Sequence, residues 1–360
     1  MLARRSTLMH PHAEGSDLPL LVPAFSSKGF EFDIMGEGKA KREFSMLAYE
    51  LADFGKYPSR SVLVSAYDLH YKHFQAREFP RTPAESHLSK ACLVFLDSGG
   101  YELSPDFDLT DLRVFGYKPK DGYWEDQYEK LLKHLARSDR TPPLVIANFD
   151  RASIGQPLES QITAARTLFN RYPDFIGDFI IKPWSHDSKV VNPAKLSDDD
   201  IRQLRGFHII GVTEKDLGTN LIDRIKKVAT LRKKLDEAGI SAPIHIWGGL
   251  DPISSPLFFF AGAEIFDGVG WLRYAYHEGI AVYRGNYTVM KQPGVIASRQ
   301  MNHAYASLDN RTAMEELESA LQQWVDFEGQ SFDMFNENIR DHLAKAYKVM
   351  CSKIPGLKGV

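Results

Sequence analysis

The chain has 360 residues, 43% of them hydrophobic, and a formal charge of -3, with a pI of about 6.5. That length suits one barrel of about 250 residues plus an appendage, or two smaller domains. The charge excludes a generic polyanion binder, so any nucleic-acid surface must be a local patch. Only two cysteines occur, Cys92 and Cys351, which excludes a disulfide framework and any zinc site needing several thiolates.

The first residues, Met1 to Pro19, carry Arg4 and Arg5 but lack the apolar stretch of a signal peptide. Apolar runs such as 257–262 are far too short to cross a bilayer. An intracellular, cytoplasmic protein with no membrane contact is expected. Residues 1–17 read as an N-terminal extension. Apolar runs at 18–25, 61–66, 92–96, 143–149, 178–181, 207–212, 244–247 and 264–269 then predict eight strands. Most are continuous Val, Ile, Leu and Phe, as parallel strands covered on both faces require. Cys92, in the third run, is expected to be a small core residue. Amphipathic stretches at 41–54, 124–137, 159–172, 198–204, 220–238 and 256–262 predict helices between them. This alternation favours an α/β fold, a (β/α)8 TIM barrel over residues 18–282, above an open doubly wound sheet. Residues 283–298 are polar and turn-rich. Apolar stripes of Leu317, Leu321, Trp324 and Val325, and of Ile339, Leu343, Ala346 and Tyr347, predict helices at 311–327 and 334–352. Residues 283–360 therefore read as a helical C-terminal appendage. The basic run Lys226, Lys227, Arg232, Lys233 and Lys234 reads as a solvated helix face.

Three predicted strands each end on a carboxylate: Asp97, Asp150 and Asp267. In a barrel, that end of the strands is where chemistry is done. A strand-end Asp is commonly a helix cap or turn former, but Asp97 and Asp267 also adjoin glycines, which let a flat ligand approach the backbone. One carboxylate can attack an anomeric carbon and form a covalent glycosyl intermediate, while a second carboxyl handles the proton. Nothing ionic flanks Asp267 in sequence. Tyr101, after Ser98, Gly99 and Gly100, and Trp247, before Gly248 and Gly249, could sandwich a planar heterocycle; the plainer reading is that Trp247 caps the barrel core. Lys182 ends another strand and could meet an anion or a base carbonyl. The run from Gly211 to Gly218 could cradle a phosphate or a base, or be an ordinary N-cap on Thr213 or Asp216. His208 and His245 read as satisfied strand residues, and the histidines show no metal spacing. Neither a Walker loop nor a dinucleotide fingerprint is present.

These residues resemble a family. Asp97-Ser98-Gly99-Gly100-Tyr101 looks like the Asp-Ser-Gly-Gly-aromatic motif of the tRNA-guanine transglycosylases. Phe149-Asp150 looks like their base-recognising Asp, and Phe266-Asp267 like their nucleophile motif. Trp247-Gly248 falls where that family places a residue stacking on the base, and Gly211 matches a glycine of their base-binding loop. The likeness spans residues 18–276. The departures are as informative. No Cys lies between Cys92 and Cys351, so the family's zinc site is absent. Lys182 stands where members carry a glutamine, Glu102 where they carry Gln, and of the arginine-rich segment only Arg273 survives, Tyr276 standing at the second arginine. A guanine-exchange core with altered RNA-reading parts is most similar to the deazapurine-in-DNA branch (DpdA).

The resemblance implies exchange of guanine in DNA for a 7-deazaguanine such as preQ0, a co-substrate, with no cofactor and no metal. Asp267 would be the nucleophile and Asp97 the general acid/base. Asp150, Ser98, Gly99, Gly100, Tyr101, Lys182, Gly211, Trp247 and Gly248 would line the base site. Arg273, Arg284, Lys291 and Arg299, which follow the nucleophile strand, would contact the nucleic acid. Partner proteins of a DNA-modification system fit the same reading. A zinc-less tRNA transglycosylase, an N-glycosylase resolved by water, and a non-catalytic nucleic-acid-binding subunit are the alternatives.

Overall fold

The computed structural model describes residues 1–28, 61–71, 92–103, 120–138, 141–185, 188–292, 294–296 and 298–357. The expected helix at 41–54 lies outside them. Two strands, β1 (Ser6–His10) and β2 (Ala13–Leu18), form an antiparallel hairpin. Eight further strands follow: β3 (Leu20–Phe25), β4 (Val62–Ser65), β5 (Val94–Asp97), β6 (Leu144–Ala147), β7 (Ile176–Ile181), β8 (Ile209–Thr213), β9 (Ile244–Trp247) and β10 (Ile265–Gly268). They pair in parallel, each with the next, and β10 pairs with β3 to close a barrel. The expected eight-stranded parallel barrel is therefore the fold.

The strands form where expected because alternate residues bury on both sides. Val22, Ala24, Leu63, Phe95, Val145, Ile180, Ile209 and Ile265 belong to one apolar cluster. Their neighbours Leu21, Phe25, Val64, Val94, Leu96, Ile146 and Ile210 belong to another, shared with the helices. These are the filling of the barrel and the packing of its outer layer. Leu8 and Leu18 of the hairpin join the first cluster, and β2 runs directly into the start of β3. The hairpin thus plugs the N-terminal end of the barrel, leaving the C-terminal end as the mouth. Cys92 is corrected here: it is exposed, because β5 begins only at Val94, and its thiol lies beside Ser16 of the hairpin.

The described helices are α1 (Ala66–His70), α2 (Gly100–Leu103), α3 (Glu125–Leu135), α4 (Leu158–Phe169), α5 (Asp198–Gln203), α6 (Leu221–Glu237), α7 (Ser254–Phe260), α8 (Gly270–Arg273), α9 (Tyr287–Lys291), α10 (Arg299–Asp326) and α11 (Glu337–Lys353). Their starts follow local chemistry. Ser197 and Asp200 form a reciprocal cap on α5, and the Asn220 side chain accepts the Ile222 N–H at the start of α6. After β10, strands β11 (Tyr274–His277) and β12 (Ile280–Tyr283) form a second hairpin. The segment expected to be turn-rich holds this hairpin's end and α9.

The C-terminal helical region is present, with α10 beginning twelve residues before the expected start at 311. It packs against the first barrel strand: the Glu318 carboxylate accepts the Leu21 N–H at 2.7 Å. Trp324 is fully buried, its ring 4.3 Å from Phe260 of α7 and 5.2 Å from Tyr347 of α11, centroid to centroid. Leu321, Leu343 and Met350 share the core of the barrel's outer layer. Arg4 ties the N-terminus to the barrel wall, bonding Glu264 before β10, Asp236 of α6 and the Ser241 carbonyl. No helix among the described residues is long and apolar enough to cross a membrane.

Candidate active site at the barrel mouth

Parallel strands bring their C-terminal residues to one mouth. Asp97 ends β5, Asp150 follows β6, Lys182 follows β7, Thr213 ends β8, Trp247 ends β9 and Asp267 lies in β10. Asp97 and Asp267 are 9% and 5% exposed, so each side chain leaves water yet keeps an opening.

Asp97 accepts the Gly99 N–H at 3.2 Å. Burial pushes its carboxyl well above the usual carboxylate range, and the negative charges of Glu102, Asp150 and Asp267 push the same way. A carboxyl so held keeps its proton at a pH where a free one has lost it. Glu102 is buried too, and its oxygens accept from Ser26 and, at 2.6 Å, Ser65. Burial first, then the charge of Asp68, raises Glu102 to about 7.

Asp267 is held differently. Its Oδ1 accepts the Gly248 N–H at 2.9 Å. Gly248 has φ +79°, a conformation open to glycine that turns this N–H back onto β10. The Nε2 of His245 lies 3.2 Å from the same Oδ1, near enough for charge to act but without the alignment of a hydrogen bond. The other oxygen, Oδ2, has no hydrogen-bond partner among the described residues. On its far side, His245 meets Asp178 of β7, Nδ1 to Oδ2 at 2.6 Å. Burial alone would lower the imidazole; Asp178 and then Asp267 outweigh it and raise it to about 9. Burial also pushes Asp178 up, against the pull of the imidazole. Both groups are fully buried, and the proton stays on the imidazole because two carboxylates face it.

Asp150 accepts from Ser98 Oγ at 2.9 Å, and its other oxygen is 3.1 Å from the Lys182 ammonium. That ammonium also lies 2.8 Å from Asp216 and 3.1 Å from Thr213 Oγ1. Burial would lower Lys182; the two carboxylates outweigh it and hold it above the ordinary lysine value. Lys182 therefore secures Asp150 and Asp216 instead of reaching out to an anion. Asp216 is spent here and not on a helix cap, and Thr213 makes no side-chain cap bond. Gly100 packs against Asp150 Oδ1.

The two aromatic walls are also engaged. Trp247 lies against His245, ring centroids 4.4 Å apart and the planes tilted by 33°, and is buried inside the mouth. Gly211 lies beneath both Trp247 and Asp178. A Cβ there would sit 2.6 Å from Trp247 Nε1 and 2.7 Å from Asp178 Oδ1, so only glycine fits. Tyr101 carries the Lys28 ammonium over one ring face at 4.3 Å, and its hydroxyl accepts from Arg273 at 2.6 Å. Among the other basic candidates, Arg284 donates to the Leu272 carbonyl and Lys291 pairs with Asp309; both brace the fold. Arg299 opens α10.

The structure thus brings Asp97, Asp150, Asp267, Ser98, Gly99, Gly100, Tyr101, Lys182, Gly211, Trp247, Gly248 and Arg273 to one end of the barrel, and sets Lys291 against α10. Sequence reasoning missed Asp178 and the partnership of His245 with Asp267. The available signal was a polar residue inside an otherwise apolar run, once in each of two strands. Among the described residues, no group of three or more His, Cys, Asp or Glu side chains is arranged to hold a metal. A cavity of about 760 Å³ lies between α10, α11 and the β11–β12 hairpin, and none of these residues lines it.

No family model matches the chain, and no curated protein does.

Proposed function

We propose that this chain is a base-exchange transglycosylase that replaces guanine in DNA with a 7-deazaguanine. One observation carries the reading: two buried carboxyls share a mouth but sit in different environments. Burial and neighbouring charge keep the proton on Asp97, whereas Asp267 keeps Oδ2 uncommitted with Oδ1 anchored by Gly248. Paired carboxyls whose environments differ in this way are assigned as acid and nucleophile.

Asp267 Oδ2 attacks C1′ from the face opposite the base, forming a glycosyl ester as the N-glycosidic bond breaks. Asp97 gives its proton to the ring nitrogen of the departing guanine. The incoming base returns a proton to Asp97, and its nitrogen attacks C1′, releasing Asp267. Ser98 and Lys182 hold Asp150 beside Gly100, where it can accept from the amidine edge of a purine. Trp247 walls one side of the site. A target in duplex DNA must be flipped out at a cost of a few kcal/mol, which an apolar wall helps to offset. Resemblance of the strand-end motifs to the guanine transglycosylases supports the choice of base, and the altered RNA-reading positions support DNA over tRNA.

The test is trapping. Wild type incubated with a guanine-containing DNA and no acceptor base should yield a covalent protein–DNA adduct on a denaturing gel, and Asp267→Asn should yield none. An adduct that survives in Asp267→Asn moves the nucleophile to another residue. An adduct formed with tRNA and not with DNA reverses the substrate.

A further inference from the structure

We infer that His245, oriented by Asp178, is a positioning residue that fixes which oxygen of Asp267 attacks; this rests on the proposed reaction for its chemical meaning and on the geometry alone for its existence. Three strands contribute. Asp178 projects from β7, His245 from β9 and Asp267 from β10, and β8 lies between the first two. In register, Gly211 of β8 sits beside His245. Its missing side chain is what lets Asp178 reach across β8, since a Cβ would lie 2.7 Å from the Asp178 oxygen. The contact is therefore built into the backbone and is not a chance pairing of surface groups.

The consequences for Asp267 follow from counting its oxygens. Oδ1 receives the Gly248 N–H and faces the imidazole. Oδ2 receives nothing among the described residues. An imidazolium at 3.2 Å holds negative charge toward Oδ1, so the carboxylate cannot rotate to exchange its two oxygens without losing both contacts. When Oδ2 forms the ester, Asp267 loses its charge while His245 and Asp178 remain as a neutral pair. When the ester breaks, the charge returns to a carboxylate already facing a cation. The imidazolium therefore favours the second half-reaction, release of Asp267, over the first. The described groups facing His245 are Asp178 of β7, Asp267 of β10, Trp247 of its own strand and the edge of Phe95 of β5 at 5.5 Å. Only the two carboxylates among these titrate.

The experiment has two arms on the full chain. In the first, ¹⁵N-histidine spectra are titrated, with His245→Gln identifying the resonance. The wild-type imidazole should remain cationic through neutral pH and titrate near 9. Asp178→Asn and Asp267→Asn should each move that midpoint down, Asp178→Asn by more. An imidazole titrating near 6.5, or a midpoint unmoved in Asp267→Asn, overturns the inference whatever the protein catalyses. In the second arm, single-turnover trapping with guanine-containing DNA follows the adduct in His245→Gln. The adduct should form and persist at least tenfold longer than in wild type once an acceptor base is added. Equal lifetimes overturn the positioning role. Wild type that forms no adduct overturns base exchange instead, and the titration then decides the His245 contact by itself. Circular dichroism of each variant guards against loss of fold, and Asp267→Asn, the isosteric change, carries the first arm if His245→Gln does not fold.

Discussion

At the residue scale, the mouth holds carboxylates in two opposed electrostatic states, and each has a consequence for stability. Lys182 is the favourable case. Its folded pKa is raised by Asp150 and Asp216 above the unfolded value of about 10.4. Its contribution is therefore complete below about pH 10 and lost as pH rises through the folded value. Lys182→Met leaves two part-buried carboxylates facing each other without a cation. The variant should lose about 3–5 kcal/mol at pH 7 by urea unfolding; a loss under about 1 kcal/mol would show that this amine does not hold the pair. Asp97 is the unfavourable case. Its pKa is also raised, so its contribution is complete below the unfolded value of about 3.9 and lost as pH rises through the folded one. Above that, wild type carries a buried charge. Asp97→Asn should melt higher than wild type at pH 8, show no gain at pH 4, and be inactive. A lower melting temperature at pH 8 would contradict the burial cause.

At the element scale, the eight barrel strands were legible because both faces of each are buried, and continuous apolar runs result. The two hairpins were not. In β2 the run Ala-Glu-Gly-Ser-Asp-Leu is polar, and it is ordered only because β1 pairs with it and Leu8 and Leu18 enter the barrel end. The start of α10 was hidden for a similar reason. Its first turns carry His303, Asn302 and Asn310, and two of these do fixed work: Asn310 bonds the Trp271 and Tyr274 carbonyls, and Asn302 accepts from Thr288. Such bonds pair residues far apart in the chain, which periodicity cannot report. Asp178 and His245 were hidden likewise, being 67 positions apart. The carboxylates Asp97 and Asp267 were legible, because parallel topology puts every strand end at one mouth. Gly211→Ala should cost about 1–3 kcal/mol through overpacking and abolish activity by displacing Asp178 and Trp247; full activity would show that β8 can yield. Trp324→Ala, at a site closed on all sides, should cost about 3–5 kcal/mol in chemical denaturation, and a loss near zero would place α10 outside the cooperative core.

At the scale of the whole molecule, a net charge of -3 means that the proposed nucleic-acid contact would be made by a local set of cations, and the candidates do not stand alike. Arg273 reaches Tyr101 at the mouth, whereas Lys291 is committed to Asp309. Binding of a guanine-containing duplex, measured at several salt concentrations, should lose about 0.7–0.9 from its logarithmic salt slope in Arg273→Ala and be unchanged in Lys291→Ala. The opposite result would move the patch onto α9. The bond from Leu21 to Glu318 closes over 297 positions of sequence, and this has a meaning for biosynthesis. At the usual rate of about 5–20 residues per second, β3 waits on the order of 15–60 s after leaving the ribosome before its covering helix exists. During that interval a strand rich in Leu, Val and Phe has no lid on its outer face. Nascent chains stalled before α10 should therefore be captured by chaperones and cut readily by protease, and both sensitivities should vanish together once residue 326 has emerged.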